Sequence, residues 1–355
     1  MNASIATPWL SSQANQDPTA ATGRPLRWGF VSTGNIAATV AKDLALLADA
    51  ELHAVSSRQQ LAAEAFAKKA GFATAYGDDG GVPGYQRLLA DPLVDVVYIA
   101  TPHAQHFEIA SAALRAGKHV LCEKALTINA REAAELVALA GELKLFLMEA
   151  VWSRFLPSMQ RMFGIAASGE LGQIQWVSAD IGFPAPADST SRLWNINDGG
   201  GALLDMTVYP LLWALGTLGF PQSVSALGTL TENGVDAQNA LTLGYESGAQ
   251  AQLTSSLLAH GPKTCTVAGS LGYLQATGST NNPRELNIQI GWDTQRTEQF
   301  ETGHGYTYEL REVTRCIQQG LLESPVMPLE DSLNVMRLFD GVRSQLGIRY
   351  PNDAR

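Results

Sequence analysis

Lys124 follows Glu123 at the end of the apolar run His119-Val-Leu-Cys122. A lysine there can orient a substrate hydroxyl, bias its proton and neutralise charge developing on oxygen, with Glu123 restraining it. Asp205 and Tyr209 stand four residues apart, after the turn Gly199-Gly200-Gly201. On one helix this spacing presents both oxygens on a single face. Tyr209 then offers a proton to a developing alkoxide, and Asp205 polarises the network. From the residues alone, a solvated Glu-Lys pair and cap or core roles for Asp205 and Tyr209 are the competing readings.

A second group suits phosphate. Ser32-Thr33-Gly34-Asn35-Ile36-Ala37 follows a short extended run and opens a helical pattern. Small residues there let an anion approach the backbone at a helix N-terminus. Ser32 stands where the glycine-rich fingerprint has its first glycine. The next strand ends in Ser57 and Arg58, where a carboxylate would suit the ribose of NAD(H); a hydroxyl and a guanidinium match the extra phosphate of NADP(H) instead. NADP(H) is therefore favoured over NAD(H). Thr101, Pro102, His103 and His106 follow another apolar strand, at the sheet edge where ligands of open α/β folds collect. These residues join Glu123 and Lys124 as cofactor-binding candidates; for each histidine, hydrogen bonding within its loop is the alternative. The two histidines lack further metal ligands nearby, so no metal site is expected. Cys122 reads as a buried wall residue, since no local base activates it. Trp152, Arg154, Phe155, Arg192 and Trp194 are candidates, with Tyr209, to line a pocket for a sugar or aromatic diol, and core packing is their alternative.

The elements that carry these residues alternate. Strands are expected at 27–32, 51–56, 94–100, 118–122 and 144–148, with a further short element at 72–76. Helices are expected from Ile36, over 60–69, over 106–116 and over 131–140 with Asn129 as cap. This is the rhythm of a doubly wound parallel sheet. After Glu149, alternating stretches at 173–181, 223–230, 240–245, 249–256 and 264–268 favour a mainly antiparallel sheet. Helices are expected at 156–166, 202–215, 308–319 and 329–338. The fold class is α/β: an N-terminal Rossmann domain over 26–148 and a C-terminal α/β domain over 149–355 with a large open sheet. A flexible tail is expected over 1–25, and a C-terminal helix packs back.

The 355 residues exceed one ordinary core, which agrees with two domains. Lys plus Arg total 24 against 34 Asp plus Glu, a formal charge of -10 that argues against a general nucleic-acid or anionic-membrane surface. The three cysteines, 122, 265 and 316, show no metal-finger or CxxC spacing and fit a reducing, cytoplasmic compartment. The first 23 residues lack a basic and then apolar signal pattern, and no apolar run is long enough to span a bilayer.

Four ordered segments carry a resemblance: Trp28-Gly-Phe-Val-Ser-Thr-Gly-Asn-Ile36, Gly117-Lys-His-Val-Leu-Cys-Glu-Lys124, Met148-Glu-Ala-Val-Trp-Ser-Arg-Phe-Leu-Pro157 and Gly199-Gly-Gly-Ala-Leu-Leu-Asp-Met-Thr-Val-Tyr209. Over about residues 26 to 345 the chain resembles the Gfo/Idh/MocA oxidoreductases, especially their dimeric dihydrodiol and NADP-dependent pentose dehydrogenase branch. The resemblance implies a nucleotide-binding domain, a sheet domain and an active site containing Lys124, Asp205 and Tyr209. Tyr209 replaces the commoner histidine as the acid/base group. Hydride would pass between NADP(H) and a secondary alcohol or ketone of a cyclic sugar or polyol. The alternatives are a dehydrogenase of trans-dihydrodiols and a non-catalytic NADP-binding regulator or scaffold. A homodimer or larger homo-oligomer is expected from the exposed sheet, with neither nucleic acid nor membrane as partner. Two departures stand out: Ala125 replaces the proline after Lys124, which would loosen its loop, and Thr207 replaces a glycine, which would add volume beside the substrate.

Overall fold

The structure, a computed structural model, describes residues 17–186, 188, 191–292 and 294–354. The chain divides into two compact units, Asp17–Trp152 with His304–Leu333, and Ser153–Gly303 with Asn334–Arg355.

The first unit contains β1 (Leu26–Val31), α1 (Asn35–Leu44), β2 (Ala50–Ser56), α2 (Gln60–Ala70), β3 (Thr74–Tyr76), α3 (Gly84–Leu89), β4 (Val96–Ile99), α4 (His106–Arg115), β5 (His119–Glu123), α5 (Ala130–Leu143) and β6 (Leu147–Ala150). The strands form one parallel sheet in the order β3-β2-β1-β4-β5-β6. Strand order reverses between β1 and β4, the position where open α/β sheets leave a ligand crevice at the carboxyl ends of their strands. The short strands are apolar because helices cover both faces: β4 is buried throughout, and Trp28, Phe30 and Tyr98 are solvent-inaccessible. Asn129 caps α5 by accepting from the Glu132 amide at 2.9 Å. Lys144 takes a left-handed φ of 54° and ends that helix, so β6 begins at Leu147 and not at Lys144 as its apolar neighbours suggest. The short helix α3 was not expected.

The second unit contains α6 (Pro157–Ala167), β7 (Ile174–Gly182), α7 (Ala202–Met206), α8 (Val208–Leu218), β8 (Ser223–Leu230), β9 (Asp236–Gly244), β10 (Gln250–Ser256), β11 (Cys265–Gly269), β12 (Gly272–Ala276), β13 (Glu285–Ile290) and β14 (Thr294–Gln299). Its eight strands run in the order β14-β13-β12-β11-β7-β10-β9-β8, antiparallel except for the β7–β10 pair. Helix α8 is apolar on nearly every side and buried against this sheet. Strands β12, β13 and β14 were not expected; of these, Thr294–Gln299 is polar throughout and shows no alternation. Strand β9 starts at Asp236, earlier than Ala240, because its polar residues Asp236 and Asn239 are buried and hydrogen bonded.

The chain then returns to the first unit through α9 (Tyr306–Gln318) and crosses again within α10 (Leu329–Leu346), which runs past the expected end at Leu338. Arg311 of α9 holds Asp49 at 2.6 Å and the Pro18 carbonyl at 2.9 Å. Of the expected flexible tail, residues 1–16 lie outside the described residues; the segment after them is tied down by these bonds and by the Thr22 amide on Asp49. No single helix among the described residues is long and apolar enough to cross a membrane.

Candidate active site

Lys124 leaves the carboxyl end of β5 on a loop whose successive backbone groups are each fastened by a side chain. The Tyr98 hydroxyl donates to Glu123 Oε1 at 2.6 Å, and Glu123 Oε2 accepts the Lys124 amide at 3.2 Å. His103 Nε2 lies 3.1 Å from the Lys124 carbonyl oxygen, and His106 Nδ1 lies 2.9 Å from that of Ala125. The Leu126 amide donates to Glu149 Oε1 at 3.0 Å. Burial and then the Glu123 charge push the Tyr98 phenol well above its ordinary range, so it stays a donor. The loosening expected from Ala125 is therefore not what the geometry gives: Ala125 is buried and side chains fix the loop in place of a proline ring. The Lys124–Ala125 peptide is cis.

His103 and His106, expected beside a cofactor, spend these ring nitrogens on the loop. The second nitrogen of His106 meets the Thr101 carbonyl at 2.9 Å, and both residues are buried. Cys122 is buried, and burial followed by the Glu123 charge raises its thiol well above the usual range, which removes it as a nucleophile.

The turn from β1 to α1 has the form a phosphate needs. Gly34 occupies the N-cap of α1 without a side-chain cap, it is exposed with Asn35, and the first turn carries no acid. Free helix amides and the helix dipole favour an anion there. Ser32 keeps a φ of 135°, a value suited to the glycine it replaces, and its Oγ accepts the Gly34 amide at 3.0 Å. Thr33 and Ile36 are partly exposed on this turn, and Ser57 and the exposed Arg58 end β2 beside it in the sheet order. Thr101 and Pro102, both partly exposed, leave β4 on the other side of β1. A dinucleotide fits this set.

In the second unit, Asp205 lies on α7 and Tyr209 on α8, each 8% exposed. The single helix expected over 202–215 is broken at Thr207, and the segment Ile196–Met206 meets Val208–Leu218 at 43°. Asp205 and Tyr209 thus lie on two consecutive helical segments and not on one uninterrupted helix. Thr207 is fully buried, contrary to the expected substrate-side position. Its hydroxyl lies 3.0 Å from Ser255 Oγ and within 3.1 Å of Asn239 Nδ2, on the side of β9 and β10.

Asp205 Oδ1 accepts from Arg192 Nη2 at 2.9 Å, and the Arg192 side chain is 48% exposed. The pair is set by the glycine turn: a Cβ on Gly200 would stand 2.5 Å from the Arg192 carbonyl oxygen, so only glycine lets the two segments meet. Trp194 donates through Nε1 to the Pro186 carbonyl at 2.8 Å. Of the other aromatic candidates, Phe155 is fully buried, and Trp152 is 4% exposed and stacks on Tyr306 at 4.6 Å between centroids. Arg154 is buried too, and its carbonyl accepts from Gln160 at 2.6 Å. Tyr98, Glu149, Asn239 and Ser255 escaped the sequence reading; only Tyr98 left a signal there, a hydroxyl inside an apolar strand that must find a partner. Among the described residues, no group of three or more His, Cys, Asp or Glu could hold a metal ion.

Residues 26–151 match the model of an oxidoreductase family with an NAD-binding Rossmann fold, and residues 159–275 match the Gfo/Idh/MocA C-terminal domain. The chain belongs to the Gfo/Idh/MocA oxidoreductase family. Among its relatives are proteins named trans-1,2-dihydrobenzene-1,2-diol dehydrogenase. The one from Mus musculus is 35% identical over 93% of this chain and 99% of its own length, and the one from Bos taurus is 35% identical over 92% and 99%. The solved structure of KijD10, a 3-ketoreductase from Actinomadura kijaniata in complex with NADP and TDP-benzene, is 28% identical. It superposes with a TM-score of 0.79 over 91% of this chain and 98% of that one. As a family member, the chain is an oxidoreductase with an NAD(P)-binding Rossmann domain.

Proposed function

We propose that this oxidoreductase interconverts a secondary alcohol and a ketone on a six-membered ring that carries a neighbouring hydroxyl, with NADP(H) as its partner. The observation that carries the proposal is the match along 93% of the chain to trans-dihydrodiol dehydrogenases, at 35% identity. A trans-dihydrodiol and a cyclic sugar or polyol share the reacting unit, a ring carbinol beside a second hydroxyl. The 3-ketoreductase relative, solved with NADP, supports a ketone as the oxidised member of the pair. The exposed guanidinium of Arg58 at the end of β2, with Ser57 beside it, supports the choice of NADP(H) over NAD(H).

The nicotinamide supplies the hydride chemistry when bound. Lys124 supplies positive charge for the oxygen on which negative charge develops, and Tyr209 supplies the exchangeable proton. Asp205, fixed by Arg192, keeps the proton network oriented, and the open side of Arg192 is available to the second hydroxyl. Ser32, Thr33, Gly34, Asn35 and Ile36 receive the pyrophosphate on the α1 amides. His103, His106 and Glu123 act through the Lys124 loop. Trp152 and Phe155 are walls rather than polar contacts.

Absorbance of the nicotinamide tests this. NADP+ and NAD+ are each offered with trans-1,2-dihydrobenzene-1,2-diol, pyranoses, pentoses and cyclic polyols, and NADPH and NADH with the matching ketones. Turnover with NADP+ on a ring diol, lost in Lys124→Ala, is expected. Nucleotide binding without turnover across the panel would instead favour a non-catalytic regulator.

The open sheet face supports a homodimer. Across β8 to β12 it presents Leu227 (79% exposed), Trp176 (42%) and Tyr273 (41%) among Ser, Thr, Gln and Ala residues, with Asp180 as its one carboxylate among the described residues. Such a face is costly to leave in water. Three buried free cysteines support a reducing, cytoplasmic location.

A further inference from the structure

Helix α7, which carries Asp205, has only five residues and begins at Gly201, whose φ of 111° leaves no side chain to cap it. So short a helix has no stability of its own. Its first amides need an acceptor, and one arrives from 33 residues further along the chain. Asp236, the first residue of β9 and fully buried, accepts the Leu203 amide on Oδ2 at 2.9 Å, and the same oxygen accepts from Asn239 Nδ2 at 2.9 Å. The other oxygen, Oδ1, has no hydrogen-bond partner among the described residues. It lies against Gly201, where a Cβ would be only 2.3 Å away.

Asn239 then links Asp236 to Thr207 at the far end of the helix, and the Thr207 hydroxyl also reaches the Ala202 carbonyl at 3.2 Å. Both ends of α7 are thus bound to one strand through a continuous line of side chains. Tyr350 adds a tie from the C-terminal segment by donating to the Gly200 carbonyl at 2.7 Å. A buried carboxyl is a costly cap, and burial raises this one to about 7. A serine or threonine at the helix's own N-terminus would cap it with a neutral hydroxyl; Gly201 is excluded from that role by its backbone and by the approach of Oδ1.

We propose that Asp236 is a positioning residue. It caps α7 from β9 and, through Asn239 and Thr207, holds Asp205 in register with Arg192. The catalytic half of this inference rests on the active-site reading of Asp205 and Tyr209; the capping half does not. Thr207 thereby acquires a role: the hydroxyl that departs from the family's usual glycine closes the line from β9 to the end of the helix.

The test uses the full chain and the variants Asp236→Ala, Asp236→Asn and Thr207→Val, with Tyr209→Phe for comparison. Amide hydrogen exchange over residues 199–206 is read by mass spectrometry. kcat and KM are read with NADP+ and trans-1,2-dihydrobenzene-1,2-diol, and NADPH affinity by fluorescence. Asp236→Ala is expected to speed exchange in 199–206 roughly tenfold, the worth of a lost cap. It should lower kcat about tenfold with NADPH affinity within about twofold of the parent, the pattern of a misplaced catalytic group. Asp236→Asn keeps an oxygen for the Leu203 amide and should recover most of both. Thr207→Val, which removes only the hydroxyl, should move exchange and kcat in the same direction by a smaller factor, and it decides the matter if Asp236→Ala does not fold. Parental exchange in 199–206 for both Asp236→Ala and Thr207→Val would overturn the inference. So would faster exchange with unchanged kcat while Tyr209→Phe is inactive. Full turnover in Tyr209→Phe strikes the active-site reading instead, and exchange alone then rules for or against the cap.

Discussion

Tyr98 and Glu123 are joined by a hydrogen bond of 2.6 Å from the end of β4 to the end of β5, and the other oxygen of Glu123 takes the amide of Lys124. The placement of the lysine thus depends on a phenol that never meets solvent. Tyr98→Phe keeps the ring and removes one charge-assisted hydrogen bond from buried Glu123, at a cost of about 1–3 kcal/mol. The variant should melt several degrees lower and lose kcat by roughly tenfold through a looser Lys124. Thermal unfolding and steady-state kinetics at saturating NADP+ check it; a lower melting temperature with an unaltered kcat would separate the loop from catalysis.

Ser32 is strained where the fold asks for glycine. Its φ of 135° belongs to a region that side chains avoid at a cost of about 1–3 kcal/mol, and the bond from the Gly34 amide to its hydroxyl offsets part of this. Ser32→Gly removes both the strain and the bond. The net expectation is a gain of up to about 1 kcal/mol, less the added freedom of glycine in the unfolded chain. The melting temperature should rise by a few degrees while NADPH affinity stays within about twofold. A fall in melting temperature would mean that the hydroxyl bond outweighs the strain.

How legible these features were depended on whether their causes were local. β4 and β5 stand out because apolar runs end abruptly in Thr101-Pro102 and Glu123-Lys124. Asn129 announces α5 because a cap acts within three residues. The break at Thr207 also has a local cause, which the apolar periodicity of Ala202 to Leu218 passes over: Pro210 has no amide to give the Met206 carbonyl, and its ring crowds that turn. The hydroxyl contacts from Thr207 to Asn239 and Ser255, residues 32 and 48 positions away, are the part that no local signal carries. Distance hid the roles of His103 and His106 as well: their partners are carbonyls 21 and 19 residues on, and spacing along the chain carries no trace of them.

Arg58 stands exposed after β2, where the proposed preference for NADP(H) needs a charge to meet the phosphate that distinguishes the two nicotinamide dinucleotides. A charge-assisted hydrogen bond is worth roughly 1.5–3 kcal/mol. Arg58→Ala should raise the NADPH dissociation constant by about tenfold or more and leave that for NADH within about twofold. Fluorescence titration with both dinucleotides measures the ratio, and an equal loss for the two would assign Arg58 to the fold or to a shared phosphate.

The sparsely charged outer face of the eight-stranded sheet predicts what a single added charge should do. Leu227 is paired across strands with Ala240 near the β8 edge, and Trp176 lies between Ala268 and Gln250 in the middle strands. Placing a carboxylate at either position leaves the folded unit intact, because both side chains already face outward. Trp176→Glu and Leu227→Glu should therefore yield soluble monomer with unchanged circular dichroism, by desolvating a charge in any face-to-face pairing. Light scattering decides; a parent chain that is already monomeric removes the dimer.

Asp236 ties helix α7 to pH through stability. In an unfolded chain its carboxyl ionises near 3.8, whereas burial places it at about 7 in the fold. Between those values the folded protein holds a proton that the unfolded chain has released. The contribution is therefore full below about pH 4, falls by about 1.4 kcal/mol for each pH unit as pH rises toward 7, and is constant above. Asp49 works in the opposite sense: burial alone would raise its carboxyl, but hydrogen bonds from Arg311 and Gln318 hold it well below the usual range, and its contribution is lost as pH falls. The total profile mixes the two, so the informative quantity is the difference between Asp236→Asn and the parent chain. The variant should gain on the parent as pH rises from about 4 to 7, by an amount on the order of a few kcal/mol. Melting temperatures taken across that interval measure it, and parallel curves would mean that Asp236 is ionised throughout and caps α7 as a carboxylate.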